Sequence, residues 1–308
     1  MSGNIEKNSS STSPRGILHR FASYVMRGRR QAVIVGLLFT ILPLFGWVSN
    51  VIVSLVTLRK GAKEGVIVLL WVILPAVVVA SLGNRLIILY GIIGGSLFTY
   101  VLALILRQTQ SWKAVLTTSL LLGLLAVLLV HLWIPHINEV WSNQFEHYAT
   151  LVKNQFNVAI NTARFQFFAK FATGFQVAFI SLSVLINLIL ARGLQSMLYN
   201  PGQFRLELKS VRLSLWEVLL LLVIGILSFL GIVLAQDVLP VVGLIFVLAG
   251  LSVFHAVADL RNVANKWIFL FYVLLVVFFP YVATALILFA VIDSWVNLRY
   301  RLRIESNS

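Results

Sequence analysis

The sequence contains no cysteine and few charged residues: Asp, Glu, Lys and Arg together make up 11% of its 308 positions. The absence of cysteine excludes disulfides, thiolate metal sites and cysteine nucleophiles. A soluble domain carries about 25% charged residues, so this chain falls far below that class. Because hydrophobic residues make up 60% of the sequence, more than one soluble core could bury, the composition predicts an integral membrane protein.

Long apolar runs indicate the fold class. Asp, Glu, Lys, Arg and His are absent from 31–58, 65–84, 86–106, 114–130, 171–191, 218–236, 238–254 and 267–292. A helix of about 20 apolar residues crosses roughly 30 Å of hydrocarbon, whereas a β-barrel would show alternating segments of about ten residues. We expect an all-α polytopic bundle of transmembrane helices with about eight membrane segments. Full crossings are expected at 65–81, 85–106, 113–134, 168–191, 214–235 and 239–258.

The distribution of Lys and Arg predicts how the chain crosses the membrane. If every run crosses once, cytoplasmic and external segments hold 13 and 11 of these residues, which is no bias. If the first run, 31–58, and the last, 267–292, each enter and return, the split becomes 20 to 4, as the positive-inside rule expects. Pro43 and Gly46 interrupt the first run and Pro280 the last, and proline breaks or kinks a helix. We therefore expect proline-broken end segments and cytoplasmic termini in a bacterial inner membrane, with one long kinked helix at each end as the alternative.

This topology defines the domain organisation. Residues 1–30 are expected to form a basic, partly disordered cytoplasmic tail, 31–303 a single transmembrane helical domain, and 304–308 a short C-terminal tail. Apolar residues recurring every three or four positions predict an external amphipathic segment at 135–166. An Asn-Pro-Gly turn marks a cytoplasmic loop at 192–213. Since the basic residues behind the net charge of +14 flank the apolar runs, the expected contact is the lipid bilayer and not nucleic acid.

The sequence offers little for catalysis. No apolar run carries an ionisable residue in its interior, whereas proton relays and voltage sensors need such groups at depth. It also lacks a His-Glu-x-x-His zinc motif, a Gly-x-Ser-x-Gly elbow and a Walker loop. His131 and His136 are five positions apart, which is the wrong spacing for one helical face and hence for a metal site. We expect a protein that is not an enzyme and has no catalytic residue, metal or cofactor.

Aromatic and amide side chains supply the candidate ligand site. A site on the outer half, between the broken first segment and the external helix, would stack on aromatic rings and bond to polar groups. Its candidate residues are Trp47, Asn50, Trp133, Trp141 and Asn187. Without buried charges to compensate it, the ligand is expected to be neutral or bound through hydrogen bonds and stacking.

Two polar pairs lie near the last helices. His255 and Asp259 are four positions apart and share one helical face, so they could bind a ligand, although a structural pair at the helix end is the more ordinary interpretation. Asp293 adjoins an apolar run and needs a cationic partner, for which Arg299 or Arg261 is available. A structural anchor is again the more ordinary interpretation.

Three stretches resemble a known family. They resemble the YybS-like family of predicted bacterial membrane proteins, which has no assigned function. The stretches are Leu42-Pro43 followed by 56–65, the segment 191–213 with Leu198-Tyr199-Asn200-Pro201-Gly202, and the ending at 293–299. That family is distantly similar to the substrate-capturing S components of energy-coupling factor transporters. This similarity implies a cytoplasmic N-terminus, a break in the first helices and, at Ala32 and Gly36, small residues that meet a transmembrane partner subunit. The likeness to S components covers at most the first two thirds of the chain.

Two function classes remain open at this point. One is a small-molecule-binding membrane subunit of a transporter, similar to an S component and dependent on an ATPase supplied by other subunits. The other is a structural or assembly protein that recruits partners through its basic cytoplasmic loops. A thermal shift with a small molecule would favour the first class, and its absence without a co-purifying ATPase would favour the second.

Overall fold

A computed structural model describes residues 14–42, 44–83, 86–156 and 162–301. Throughout these ranges the secondary structure is helical, with no strand. The chain divides into two compact units. Unit 1 comprises Met1–Gln108 and Val184–Phe204, and unit 2 comprises Thr109–Ser183 and Arg205–Ser308.

Unit 1 begins with a helix in the region predicted to be a tail. Its helices are α1 Pro14–Arg27, α2 Arg29–Ile41, α3 Gly46–Lys60, α4 Ala62–Gly83, α5 Leu86–Thr109 and the later part of α9 Ala172–Tyr199. The first apolar run is divided between α2 and α3, which pack against each other and against α4. Pro43, which was predicted to break this run, lies outside the described residues. At 13 and 15 residues, α2 and α3 measure about 20 and 22 Å at 1.5 Å per residue, less than the hydrocarbon thickness.

Small residues allow the helices of unit 1 to approach closely. A Cβ on Gly36 would lie 3.0 Å from Val72 Cγ2 of α4, and Ala32 is fully buried. Both residues therefore pack inside unit 1, contrary to the expectation that they face a partner subunit. The α3–α4 turn uses Gly61 at φ 103°, a backbone conformation that favours glycine. Arg107 Nη1 donates to Leu58 O over 2.7 Å and satisfies a free carbonyl at the end of α3.

Unit 2 is built around one long helix. Its helices are α6 Trp112–Trp133, α7 Ile137–Phe156, α8 Thr162–Ala169, the first part of α9, α10 Gln203–Lys209, α11 Leu215–Phe229, α12 Val233–Leu260, α13 Asn265–Val277 and α14 Phe279–Val296. Helix α12 packs against α6, α11 and α14, and its apolar side chains at Val242, Ile245 and Phe246 are almost fully buried. A Cβ on Gly250 would lie 2.2 Å from Leu286 O of α14, so these two backbones are in direct contact.

The last apolar run is interrupted in unit 2. Helix α13 ends at Val277 and α14 begins at Phe279, with Pro280 in its first turn. Proline is tolerated there because the N–H groups of a first turn have no acceptor within the helix. Phe271 of α13 stacks on Phe254 of α12 at a centroid distance of 3.8 Å. Both halves of the run therefore pack along α12.

Four described helices are long and apolar enough to cross a membrane: Trp112–Trp133, Ala172–Tyr199, Val233–Leu260 and Phe279–Val296. Two of their boundaries differ from the sequence-based expectation. Helix α9 continues to Tyr199, into the predicted loop 192–213, and the turn follows at Gly202, where φ is 91°. Helix α11 ends at Phe229, and Gly231 at φ 85° makes the turn before α12. The predicted break at 236–238 therefore lies inside α12.

Candidate functional site

The predicted ligand residues are divided between the two units. Trp47, Asn50 and Asn187 belong to unit 1, whereas Trp133 and Trp141 belong to unit 2. Asn187 is buried, Trp47 is half exposed and Trp133 is 84% exposed. Asn50 Oδ1 is buried without a hydrogen-bond partner among the described residues. Of the five, only Trp141 contacts the polar network described next.

A buried Asp–His pair forms the centre of that network. Asp237 in the second turn of α12 is fully buried, and its Oδ2 lies 2.9 Å from His131 Nε2 near the end of α6. The second carboxylate oxygen, Oδ1, accepts from Gly174 N of α9 over 3.1 Å. Each oxygen therefore has a partner, as a buried polar group requires. Asp237, which separates two charge-free runs in the sequence, is therefore buried inside α12, contrary to the expectation of a protein without buried charges.

Two residues at the start of α9 complete the network. The Thr173 hydroxyl accepts from Trp141 Nε1 over 3.0 Å and hydrogen-bonds to the Asp237 carboxylate. A Cβ on Gly174 would lie 1.7 Å from Asp237 O and 3.1 Å from Pro240 Cδ. Only glycine permits this approach of α9 to α12. Trp141 is also stacked against Phe145 at 5.9 Å between centroids, which orients its indole.

An apolar groove of about 590 Å³ begins next to this network. Three stripes with residues four positions apart form its walls. They are Phe167, Phe171, Phe175 and Phe179 on α8–α9; Leu239, Gly243, Val247 and Leu251 on α12; and Leu275, Phe279, Ala283 and Ile287 on α13–α14. Every lining residue has an apolar side chain or is glycine. Pro240 lines the groove and contacts the Gly174 position, so the groove begins within one turn of Asp237 along α12.

The dimensions of the groove match a hydrocarbon chain. From Leu239 to Leu251 the rise along α12 is about 18 Å at 1.5 Å per residue. One leaflet is half of the roughly 30 Å hydrocarbon core, so the groove is about one leaflet long. Its volume lies within the roughly 300–1,000 Å³ of small-molecule sites. Phe167 and Phe179 are more than half exposed, so the groove is open along one side.

The two predicted polar pairs have different outcomes. His255 Nε2 lies 2.7 Å from the Tyr272 hydroxyl, whereas Asp259 pairs with Arg205 and Lys209. The structure thus gives His255 and Asp259 separate partners. Asp293, which is 1% exposed, has Arg299 Nη2 at 3.4 Å from its Oδ2.

Structural contacts hold the segment 203–214 in place. Arg299 Nη1 donates to Lys209 O over 2.7 Å, and Arg212 donates to the carbonyls of Asp293 and Ser294 over 2.9 and 2.8 Å. The basic side chains of the predicted loop, Arg205, Lys209 and Arg212, therefore all have partners inside unit 2, although Arg205 remains largely exposed.

A second buried carboxylate was missed by the sequence analysis. Glu217 is fully buried and accepts from Ser214 N in a capping box at the start of α11. Its other oxygen accepts from Thr117 Oγ1 over 2.9 Å. The Ser-x-x-Glu spacing was the available signal, and it indicates a structural role.

A family model agrees with the membrane architecture and matches residues 32–294, most of the chain. The chain belongs to DUF2232, a family of predicted membrane proteins. No curated protein and no solved structure matches it. The DUF2232 region contains His131, Asp237 and every residue that lines the groove, whereas α1 precedes it. Among the described residues, no group of three or more His, Cys, Asp or Glu side chains could hold a metal ion.

Proposed function

We propose that this DUF2232 protein binds an amphiphile, with its hydrocarbon chain in the groove of unit 2 and its polar end beside His131 and Asp237. The observation that carries the proposal is the groove itself, about 590 Å³ with no polar side chain in its lining. A polar metabolite in such a groove would leave its hydrogen-bonding groups without partners, at a cost of several kcal/mol. A hydrocarbon chain carries no such groups.

The polar network next to the groove supports an amphiphile over a plain hydrocarbon. His131 is 18% exposed in its side chain, whereas its partner Asp237 is fully buried. The imidazole is therefore the more exposed member of the pair, and its second ring nitrogen can donate or accept a hydrogen bond. Thr173 and Gly174 hold the carboxylate, which in turn orients the ring.

The membrane topology belongs to the same proposal. About eight segments, with paired short helices at 31–58 and 267–292, account for the 20 to 4 split of Lys and Arg. This arrangement gives cytoplasmic termini in a bacterial inner membrane. It supports a substrate-binding transporter subunit, as the resemblance to the YybS-like family and to S components suggests. The assembly role has less support, because Lys209 and Arg212 of the basic loop are engaged within unit 2.

A filled-groove variant with a matched control tests the proposal. A Cβ on Gly243 meets only Ile287 Cδ1, at 3.9 Å, and projects into the groove. A Cβ on Gly225 of α11 meets nothing within 4 Å, and Gly225 does not line the groove. We expect Gly243→Leu to abolish the thermal shift that a long-chain amphiphile gives in detergent, and Gly225→Leu to retain it. A ligand at a hundredfold excess over its Kd raises the free energy of unfolding by about 2.7 kcal/mol, and this increase produces the thermal shift.

Two results would count against the groove as the site. One is an equal shift in wild type and Gly243→Leu. The other is a purified protein that carries no lipid by mass spectrometry and shows no shift with amphiphiles of any chain length. The second result, without a co-purifying ATPase, would transfer support to the assembly role.

A further inference from the structure

Helix α1 has apolar side chains that unit 1 covers only in part. Ala22, Val25 and Met26 are buried against the unit, and Phe21 packs edge-on to Phe39 of α2 at 6.1 Å. The other apolar side chains face outward. We call Ile17, Leu18 and Tyr24, which are 60%, 51% and 43% exposed, the exposed edge of α1.

Positive charge borders this exposed edge. Arg20 and Arg27 on α1 and Arg30 at the start of α2 are exposed, and the Arg27 guanidinium lies 5.7 Å from the centroid of the Tyr24 ring. No Asp or Glu occurs between residues 14 and 30. The arginines are therefore complementary to an anionic surface, and the exposed edge is complementary to an apolar layer.

The chain immediately after α1 indicates which surface is available. Gly28 is extended, with φ −166° and ψ 171°, and separates α1 from α2. The first apolar run begins at residue 31, so α1 adjoins the segment that enters the membrane. Helices with an apolar edge and arginines beside it lie in the plane of the interface and bind anionic headgroups.

We propose that α1 is an interfacial helix whose exposed edge inserts among lipids and whose arginines select anionic headgroups. The occupant is the bilayer surface itself, because the apolar edge and the arginines lie side by side on one short helix that adjoins the first apolar run. This inference is independent of the groove in unit 2.

Depth and headgroup preference can be measured on the full chain. Because the protein has no cysteine, Leu18→Cys provides a single thiol for an environment-sensitive fluorophore. In nanodiscs of phosphatidylcholine and phosphatidylglycerol, we expect this label to be quenched by doxyl-labelled phosphatidylglycerol more strongly than by doxyl-labelled phosphatidylcholine. The same fluorophore at Ser23, among the polar residues of α1, should be quenched weakly by both.

Charge variants test the headgroup selection. We expect Arg20→Gln and Arg27→Gln each to lower the preference for phosphatidylglycerol roughly fivefold, and Arg→Lys at both positions to preserve it. Lys153→Gln, which removes an exposed cation from α7, serves as the matched control and should change nothing. A Leu18 label that neither lipid quenches would overturn the interfacial placement. Equal quenching by both lipids, unchanged in the Gln variants, would overturn the anionic selection.

Discussion

His131 and Asp237 are 106 positions apart in sequence, yet His131 Nε2 lies 2.9 Å from Asp237 Oδ2 in the interior of unit 2. Removing one partner of a buried pair leaves the other without compensation, at a cost of about 3–5 kcal/mol. We expect His131→Leu and Asp237→Leu each to lower stability strongly in detergent, by about 3 kcal/mol.

The double variant distinguishes a coupled pair from two independent residues. In His131→Leu with Asp237→Leu, both polar partners are replaced by apolar groups, which is often far less costly than removing one. Its loss of stability in chemical denaturation should be smaller than the sum of the single losses by roughly 0.5–3 kcal/mol. Strict additivity would mean that the two side chains do not interact in the folded protein.

The closest backbone approach in this network makes a second prediction. Alanine at Gly174 would place its Cβ 1.7 Å from Asp237 O, so α9 and α12 must separate. Overpacking of this kind costs about 1–3 kcal/mol and occasionally more, and we expect Gly174→Ala to reach at least the upper end. Gly225→Ala is the control, since its Cβ meets nothing within 4 Å and alanine favours the helix by up to about 1 kcal/mol. Similar melting temperatures for the two variants would contradict the contact.

The pair at the end of α14 makes a third prediction. Asp293 is 1% exposed and has Arg299 at 3.4 Å, while Arg299 also donates to Lys209 O. We expect Asp293→Ala and Arg299→Ala to lower the melting temperature in detergent and to be non-additive when combined. Arg301→Ala removes an exposed arginine two positions away and should have little effect. If it destabilises as much as Arg299→Ala, general loss of positive charge explains the result.

Sequence patterns identified the helical class because they depend on composition and period. The mistake at α11–α12 shows the limit. The charge-free runs 218–236 and 238–254 predict two segments with a boundary at Asp237. The actual turn is at Gly231, at φ 85°. Asp237 is tolerated inside α12 because His131 and Gly174 N satisfy it, and those tertiary partners cannot be read from local sequence.

One wall of the groove has a signal in the sequence. Phe167, Phe171, Phe175 and Phe179 recur every four residues, a spacing that is typical of one helical face, although the structure divides them between α8, the following turn and α9. A single apolar stripe indicates only packing or lipid contact. Three stripes become a groove when α8–α9, α12 and α13–α14 assemble, and that step depends on tertiary structure.

A fourth prediction concerns the effect of pH on unit 1. Arg29 donates to both carboxylate oxygens of Glu64, and this hydrogen bond lowers the pKa of Glu64 from its usual 4.5. A group with a depressed folded pKa contributes stability above its unfolded pKa and loses it as pH falls through the folded pKa. Wild type should therefore lose more stability than Glu64→Gln on acidification from about pH 5, as followed by melting temperature. The difference should be small because the pair is exposed, and Arg29→Gln should remove it.

The length of the groove makes the last prediction. Each CH₂ group moved from water into an apolar site contributes about 0.8 kcal/mol, or roughly a fourfold increase in affinity. Affinity for a series of single-chain amphiphiles with one headgroup should rise by about that factor per CH₂ until the chain fills the roughly 18 Å between Leu239 and Leu251, and then level off. The leucine of Gly243→Leu occupies the groove one turn from Leu239, so the affinity at which the series levels off should be lower. Gly225→Leu should follow the wild-type curve. Because micelle partitioning also rises with chain length, binding is measured below the critical micelle concentration in nanodiscs. A curve that rises without a plateau, equal in both variants, would assign the binding to bulk lipid and not to the groove.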